Sequence, residues 1–191
     1  MRILRAGDHK RMPWKNGKGE TVEIAVFPPD ASINDFEWRI SMATVAEDGP
    51  FSIFPGIDRT LAILDGNGMV LDVEGRSSVP LTTASDPLAF PADIPVAARL
   101  EDGTITDLNV MTRRGRLSHT LIRIDVDGSK TVPLPPSTCL LLCHRGALSF
   151  RRDGETGALA AGDALLVTDT AATVLEIDGE ARCYLALITT A

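Results

Sequence analysis

Short apolar segments separated by turn residues recur along this chain at intervals of about eight to twelve residues. Glycine and Asx residues suited to tight turns stand at residues 65–68, 101–103, 125–128, 153–155 and 178–180. Helical periodicity is nearly absent. The pattern predicts an all-β sandwich or barrel with strands at residues 21–27, 36–45, 59–64, 69–73, 96–100, 105–111, 120–124, 139–143, 147–150, 164–167, 173–177 and 183–188.

The composition restricts the class of protein. Of the 191 residues, 44% are hydrophobic, and no run of about 18 apolar residues predicts a membrane span. The amino terminus lacks the apolar segment of a signal peptide, and the three cysteines (Cys139, Cys143 and Cys183) suggest no disulfide framework. We therefore expect a cytoplasmic protein with reduced thiols and no membrane partner.

The charge pattern argues against nucleic acid as a partner. The formal net charge is −7 and most basic residues are scattered, whereas binding to a phosphate backbone needs a concentrated basic face. An acidic surface also repels small anions, so an anion site must depend on a few local arginines.

One predicted strand carries a cation on its wall. At the two-residue period of a strand, Trp38 and Ile40 share one face of residues 36–45, while Arg39 and Ser41 share the other. The Arg39 guanidinium therefore points either into solvent or into a cavity. That choice decides whether the strand is part of a binding site.

Two segments follow one plan of apolar strand, glycine turn and apolar strand, at residues 64–71 and 143–150. The second continues to a Gly-Asp turn at 162–163, and this arrangement resembles the pattern of cupin barrels. The resemblance implies two cupin-like barrels of the double-stranded β-helix type, a bicupin. An ordinary irregular β-sandwich is the alternative.

The expected junction between the two barrels follows from proline. Three prolines between residues 133 and 136 discourage strand pairing. We expect an amino-terminal barrel with the ligand pocket at residues 1–128 and a carboxy-terminal cupin-like half at 129–191, within one compact unit that allows strand exchange.

Five motifs in order resemble the HutD/Ves family. They are Pro-Trp-Lys-Asn-Gly-Lys-Gly-Glu-Thr at 13–21, Trp-Arg-Ile-Ser at 38–41, Asp-Gly-Pro-Phe-Ser at 48–52, Phe-Pro-Gly-Ile-Asp-Arg at 54–59 and Asp-Leu-Asn-Val-Met-Thr-Arg-Arg at 107–114. The likeness is dense over residues 10–115 and looser beyond them. Lys18 stands where the family usually has the middle of three glycines, which adds a cation to that loop.

The resemblance implies a bicupin without an established enzymatic activity. For HutD proteins it implies a link to bacterial histidine utilisation, in which the protein senses a pathway intermediate and restrains flux. For Ves proteins it implies a link to stress. The sequence does not separate these two contexts.

The histidines argue against a metal cofactor. A metal-binding cupin uses a His-x-His pair, a Glu and a later His, whereas this chain has only His9, His119 and His144, with no close pair. Asp58 and Arg59 stand where the first cupin motif would place its histidines. An arginine there opposes a divalent cation and favours an anion. We expect no metal and no other cofactor.

Arg59 is the main candidate for binding that anion, because it follows an apolar Phe-Pro-Gly turn and begins a strand at the expected barrel mouth. For Arg39, a structural ion pair with Glu23 or Glu37 is the alternative role. No catalytic residue is assigned. The expected ligand-binding residues are Arg59, Trp14, Asn16, Arg39, Ser41, Asp107, Asn109 and Arg113.

These residues predict a regulatory protein that binds a small carboxylate such as formylglutamate, urocanate or formate. The rival from the enzyme class is a metal-independent isomerase, lyase or hydrolase with Asp58, Asp107 or His119 as acid or base. A third interpretation is a Ves-like interaction module whose barrels form a homodimer.

Overall fold

The computed structural model describes residues 1–14, 17, 19–169 and 171–191. These residues form sixteen strands and a 3-10 turn at Ala6–Asp8, with no α-helix among them, so the all-β prediction is confirmed. No helix in this part of the chain has the length and apolarity to cross a membrane. The strands are β1 (Arg2–Leu4), β2 (Lys10–Pro13), β3 (Gly19–Phe27), β4 (Trp38–Val45), β5 (Gly49–Pro50), β6 (Ile57–Asp65), β7 (Met69–Val73), β8 (Val79–Leu81), β9 (Leu88–Pro91), β10 (Val96–Leu100), β11 (Ile105–Arg113), β12 (Leu117–Leu134), β13 (Ser137–Arg152), β14 (Glu155–Ala160), β15 (Ala164–Asp169) and β16 (Thr173–Thr190).

Residues 10–118, with Ala191, form one unit of two sheets. The larger sheet has the strand order β2-β3-β4-β11-β6-β9, and the smaller has the order β5-β10-β7-β8. Leu61 from the larger sheet and Leu71 from the smaller are fully buried in a shared apolar core. Alternate side chains of β6 and β7 enter this core, and removing their apolar surface from water stabilises the unit.

Residues 1–9 and 119–190 form the second unit. Its sheet has the order β1-β15-β13-β16-β12, with β14 paired to β13. The interior is apolar and includes the three cysteines, which are all free and buried.

The division between the units differs from the boundary expected at residue 128. β12 runs without interruption from Leu117 to Leu134, and β1 adds to β15, with Arg2 opposite Leu166. The first nine residues therefore belong with the carboxy-terminal half, and the units divide between residues 118 and 119. Pairing across such a distance in sequence leaves no local signal.

Three glycine turns of the sequence analysis were wrong. The segments 125–128, 143–146 and 178–180 lie inside the long strands β12, β13 and β16. A Cβ added at Gly146 would meet the Glu180 carbonyl oxygen of the paired strand, and a β-bulge precedes Gly146. Glycine here permits close approach of two strands beside a bulge, which in sequence looks like a turn.

Candidate functional site

Alternate residues of three neighbouring strands build the inner wall of one cavity in the unit of residues 10–118. The polar residues on this wall are Arg39 and Ser41 of β4, Asp107 and Asn109 of β11, and Arg59 of β6. Arg39 and Arg59 lie in one row across the sheet, on either side of the same β11 residue. The cavity has a volume of about 690 Å³, which lies in the range of small-molecule sites.

The rest of the cavity wall is mostly apolar. Its residues are Met12, Pro13, Trp14, Thr21, Ile33, Ala43, Val45, Pro50, Phe51, Ser52, Phe54 and Met111. Apolar walls with a few converging polar groups are typical of binding sites for small molecules.

Arg39 forms a shielded ion pair. Its Nε donates to Oε2 of Glu23 at 2.6 Å, and only 6% of the Arg39 side chain and 13% of the Glu23 side chain are exposed. Glu23 lies on β3, directly opposite Ser41. The structure thus contains the ion pair that was the alternative for Arg39, although Arg39 also lines the cavity. Because Glu23 compensates its charge, Arg39 attracts an anion less than a free arginine would.

Arg59 lies in an aromatic cage. The residue is only 7% exposed, and its guanidinium carbon lies 5.2 Å from the ring centroids of Phe51 and Phe54 and 5.9 Å from that of Phe90. Its Nη2 lies 3.9 Å from Sδ of Met111, which is a weak acceptor. The ring faces stabilise the cation but leave it without a strong hydrogen-bond acceptor.

The charge of Arg59 persists despite its burial. Burial lowers the pKa of Arg59 to about 10, while the charge of Asp107 opposes this change and that of Arg39 adds to it. Arg59 is therefore protonated at neutral pH. Among the described residues no carboxylate forms an ion pair with it.

Two buried polar atoms of the cavity lack a hydrogen-bond partner, the Arg59 Nε donor and the Asn109 Oδ1 acceptor. In the described part of the chain these are the only buried side-chain nitrogen or oxygen atoms in this state. An unpaired buried polar group costs about 1 to 3 kcal/mol, so folded proteins keep few of them. The cavity therefore offers one free donor and one free acceptor to a polar group.

Asp107 is a buried carboxyl group on the same wall, 1% exposed. It accepts a hydrogen bond of 2.6 Å from Nδ2 of Asn109. Burial raises the pKa of Asp107 to about 7, although Arg59, Asn109 and the Ala43 backbone favour its charged form. The charge of the cavity therefore changes near neutral pH.

Trp14 lines the cavity from the loop after β2. Its Nε1 donates to Oγ1 of Thr21 at 2.9 Å. A Cβ on Gly19 would meet both the Trp14 ring and the Thr44 carbonyl oxygen, so glycine at this position permits the indole to lie close to β3. Asn16, which was expected to bind the ligand, lies outside the described residues.

Three further candidates from the sequence do not line this cavity. Arg113 lies at the end of β11, where its Nη2 donates to the Phe36 carbonyl oxygen at 2.8 Å. Asp58 precedes Arg59 on β6 and pairs with Arg114 at 2.8 Å. His119 belongs to the other unit. The expected role of Arg113 at the site is therefore not supported by its position.

The cavity residues do not fit the metal site of metal-binding cupins. Two guanidiniums share the inner wall with one carboxyl group, and their positive charge repels a divalent cation. Among the described residues, no group of three or more His, Cys, Asp or Glu side chains is placed to hold a metal ion. The wall suits an anion instead.

Sequence reasoning missed the aromatic cage. Phe51 and Phe54 stand in the short loop before Arg59, and such a pair next to an arginine is a signal that was available. Phe90 gives no such signal, because only the pairing of β9 with β6 places it opposite Arg59.

Comparisons with known proteins agree with these observations. The HutD family model matches residues 6–185. The protein Ves of Citrobacter koseri is 36% identical over 170 residues, which cover 86% of this chain and 80% of that protein.

Solved structures show the same fold. The conserved protein of unknown function PA5104 from Pseudomonas aeruginosa PAO1 has a TM-score of 0.91 at 36% identity, covering 98% of this chain and 97% of that one. HutD from Pseudomonas fluorescens SBW25, in a formate condition, has a TM-score of 0.83 at 33% identity, covering 100% and 98%. A cupin 2 conserved barrel domain protein from Leptotrichia buccalis shares the fold alone, with a TM-score of 0.54 at 12% identity over 95% and 96%. The fold is therefore cupin-like, as predicted, and the chain belongs to the HutD/Ves family.

Proposed function

We propose that this protein binds a small carboxylate metabolite in the cavity around Arg59 and has a regulatory role in histidine utilisation. The observation that carries the proposal is the Arg59 guanidinium, which is buried and charged, has no ion pair among the described residues and keeps an unpaired Nε. A carboxylate is its natural partner, because the two oxygens accept parallel N–H bonds from one guanidinium.

The charge balance of the wall supports an anionic ligand. Glu23 neutralises Arg39, and the pKa of Asp107 near 7 leaves that carboxyl group largely neutral in mildly acidic conditions. Arg59 then provides one net positive charge in a mostly apolar cavity, where a charge-assisted contact is stronger than in water. Formylglutamate, urocanate and formate are the candidate ligands.

The regulatory part of the proposal rests on family membership. HutD from Pseudomonas fluorescens carries the same name as the family model and was solved in a formate condition. We further propose a cytoplasmic location, which suits three free buried thiols. A homodimer stays a prediction that sedimentation analysis can test.

A second candidate is a metal-independent isomerase, lyase or hydrolase. Asp107 favours it, because a buried carboxyl group with a pKa near 7 beside an arginine is suited to transfer protons at neutral pH. Incubation of each candidate acid with the protein, followed by product analysis, separates the two functions. A new product that disappears with Asp107→Asn favours the enzyme.

The binding test begins with thermal unfolding in the presence of formylglutamate, urocanate, formate, glutamate and unrelated acids. Calorimetry then compares the wild type with Arg59→Met and Arg59→Lys. Loss of the contact is expected to cost roughly 2 to 4 kcal/mol, or about 30-fold to 1000-fold in affinity. Arg59→Lys is expected to recover only part of the affinity, because an ammonium group lacks the planar pair of N–H donors of a guanidinium.

Arg99→Met is the matched control, since Arg99 lies in the same unit but is exposed and outside the cavity. It is expected to bind like the wild type. Arg59→Met is expected to keep or raise the melting temperature of the free protein, because it removes a buried charge that forms no direct ion pair among the described residues. Unchanged affinity in Arg59→Met would reject this site.

A further inference from the structure

Asp107 and Arg59 share the cavity without forming a direct ion pair. Among the described residues, no basic side chain lies within 4 Å of the Asp107 carboxylate, which accepts a hydrogen bond from Asn109 and is also favoured in its charged form by the Ala43 backbone. Both charged groups are more than nine-tenths buried. Each therefore depends on the other across the cavity for compensation of its charge.

Among the described residues, few other charged groups lie around Asp107. On β6 the group is Arg59, on β4 it is Arg39, and on β3 it is Glu23, which is paired with Arg39 at 2.6 Å. On β11 itself Asn109 is neutral. The Arg39–Glu23 pair compensates internally, so Arg59 is the cation that supports the ionised form of Asp107.

An anion that binds Arg59 changes this balance in two ways. It neutralises the positive charge of Arg59, which favours ionised Asp107 in the free protein. It also places a second negative charge in the same poorly solvated cavity. Two carboxylates sharing one site repel each other, and the usual result is that one of them binds a proton.

We propose that the cavity binds its carboxylate ligand together with a proton, which Asp107 takes up as the anion reaches Arg59. This inference rests on the proposed function. Occupancy of the site then depends on pH as well as on ligand concentration. The value of about 7 for the pKa of free Asp107 places the dependence in the neutral range.

The direction of the effect follows from linkage. Below the pKa of Asp107 in the ligand-free protein, the carboxyl group already carries its proton, and the affinity for the ligand is independent of pH. Above it, each ligand must bring a proton, so the dissociation constant rises by up to about tenfold per pH unit. A free pKa near 7 gives a rise on the order of 30-fold between pH 6 and pH 8.5.

The test is calorimetry of wild type and Asp107→Asn with formylglutamate and with formate, at pH 6.0, 7.5 and 8.5. Neither acid titrates in this range. At pH 7.5, titrations in Tris and in triethanolamine, which differ in ionisation enthalpy, count the protons taken up. We expect uptake of about 0.8 proton per ligand bound by the wild type. For Asp107→Asn we expect none, with an affinity that does not change with pH.

The outcomes separate the two proposals. If neither acid binds at any pH, the proposed function fails and the proton coupling falls with it. If an acid binds the wild type with constant affinity from pH 6 to 8.5 and without proton uptake, the binding function stands and the coupling is wrong. If Asp107→Asn keeps the pH dependence of the wild type, Asp107 is not the group that takes up the proton.

Discussion

Replacing Asp107 by asparagine is expected to stabilise the unliganded unit of residues 10–118, and the gain is expected to grow with pH. Asparagine keeps the shape of the side chain and an oxygen that can accept from Asn109, but it carries no charge to bury. The change therefore isolates the cost of ionising one buried carboxyl group.

The magnitude follows from the pKa of Asp107, which rises from 3.8 in the unfolded chain to about 7 in the folded unit. A group with a raised pKa contributes its full stability below pH 3.8 and loses it as pH rises through 7. The difference between these two pKa values corresponds to about 4 kcal/mol in the free energy of unfolding. About 2 kcal/mol of this stability is already lost at pH 5. Between pH 5 and pH 8.5 the advantage of Asp107→Asn is thus expected to grow by about 2 to 3 kcal/mol.

Urea unfolding at pH 5, 7 and 8.5, followed by tryptophan fluorescence, measures this difference. The chain has two tryptophans, Trp14 and Trp38, and both lie in the cavity unit. Asp72→Asn is the control, because Asp72 is a carboxylate of the same unit whose pKa lies below its ordinary value through hydrogen bonds from Arg99 and Ser78. Asp72 is ionised in both states over this range, so its replacement adds no pH dependence.

A stability difference between Asp107→Asn and the wild type that stays constant from pH 5 to 8.5 would refute the reasoning. It would show that Asp107 has an ordinary pKa despite its burial. The proton-coupled binding would then lose its physical basis, whereas binding of an anion at Arg59 would not.

Two further substitutions test the ion pairs of the two units. Glu23→Gln leaves buried Arg39 without its counter-charge, so the free energy of unfolding, measured in urea, is expected to fall by about 3 kcal/mol. Formate binding is expected to strengthen, because Arg39 becomes a second free cation. Unchanged stability would mean that the pair is not buried in solution. For Asp163, burial opposes ionisation, but hydrogen bonds from the Ala6 and Ala160 N–H groups and from Arg5 outweigh it and keep the pKa below its ordinary value. Asp163→Asn is therefore expected to lower the free energy of unfolding by about 2 kcal/mol at pH 7. The difference from the wild type is expected to shrink in acid, where the wild type loses this stability. Urea unfolding followed by circular dichroism at pH 7 and pH 3 measures the difference, and a difference independent of pH would contradict the lowered pKa.

Local patterns in the sequence were enough for the fold class and the family. The two-residue alternation of Arg39 and Ser41 with apolar neighbours reports the two faces of a strand, because the strand period depends only on backbone geometry. The ordered motifs around Trp14, Arg39 and Arg59 led to the HutD/Ves family without any knowledge of contacts. Glycine was a less reliable signal for turns, since Gly146 permits the close approach of two strands and does not form a turn.

Tertiary structure alone decided what these side chains do. The alternation of side chains does not distinguish a strand face that lines a cavity from one that faces solvent. Only the alignment of β3, β4 and β11 shows that Arg39 is buried and paired with Glu23, and that Arg113 lies outside the cavity wall. The cage on Arg59 and the pKa of Asp107 arise from groups far apart in sequence. Burial and charge interactions depend on distance in space, and the chain order of residues does not contain that distance.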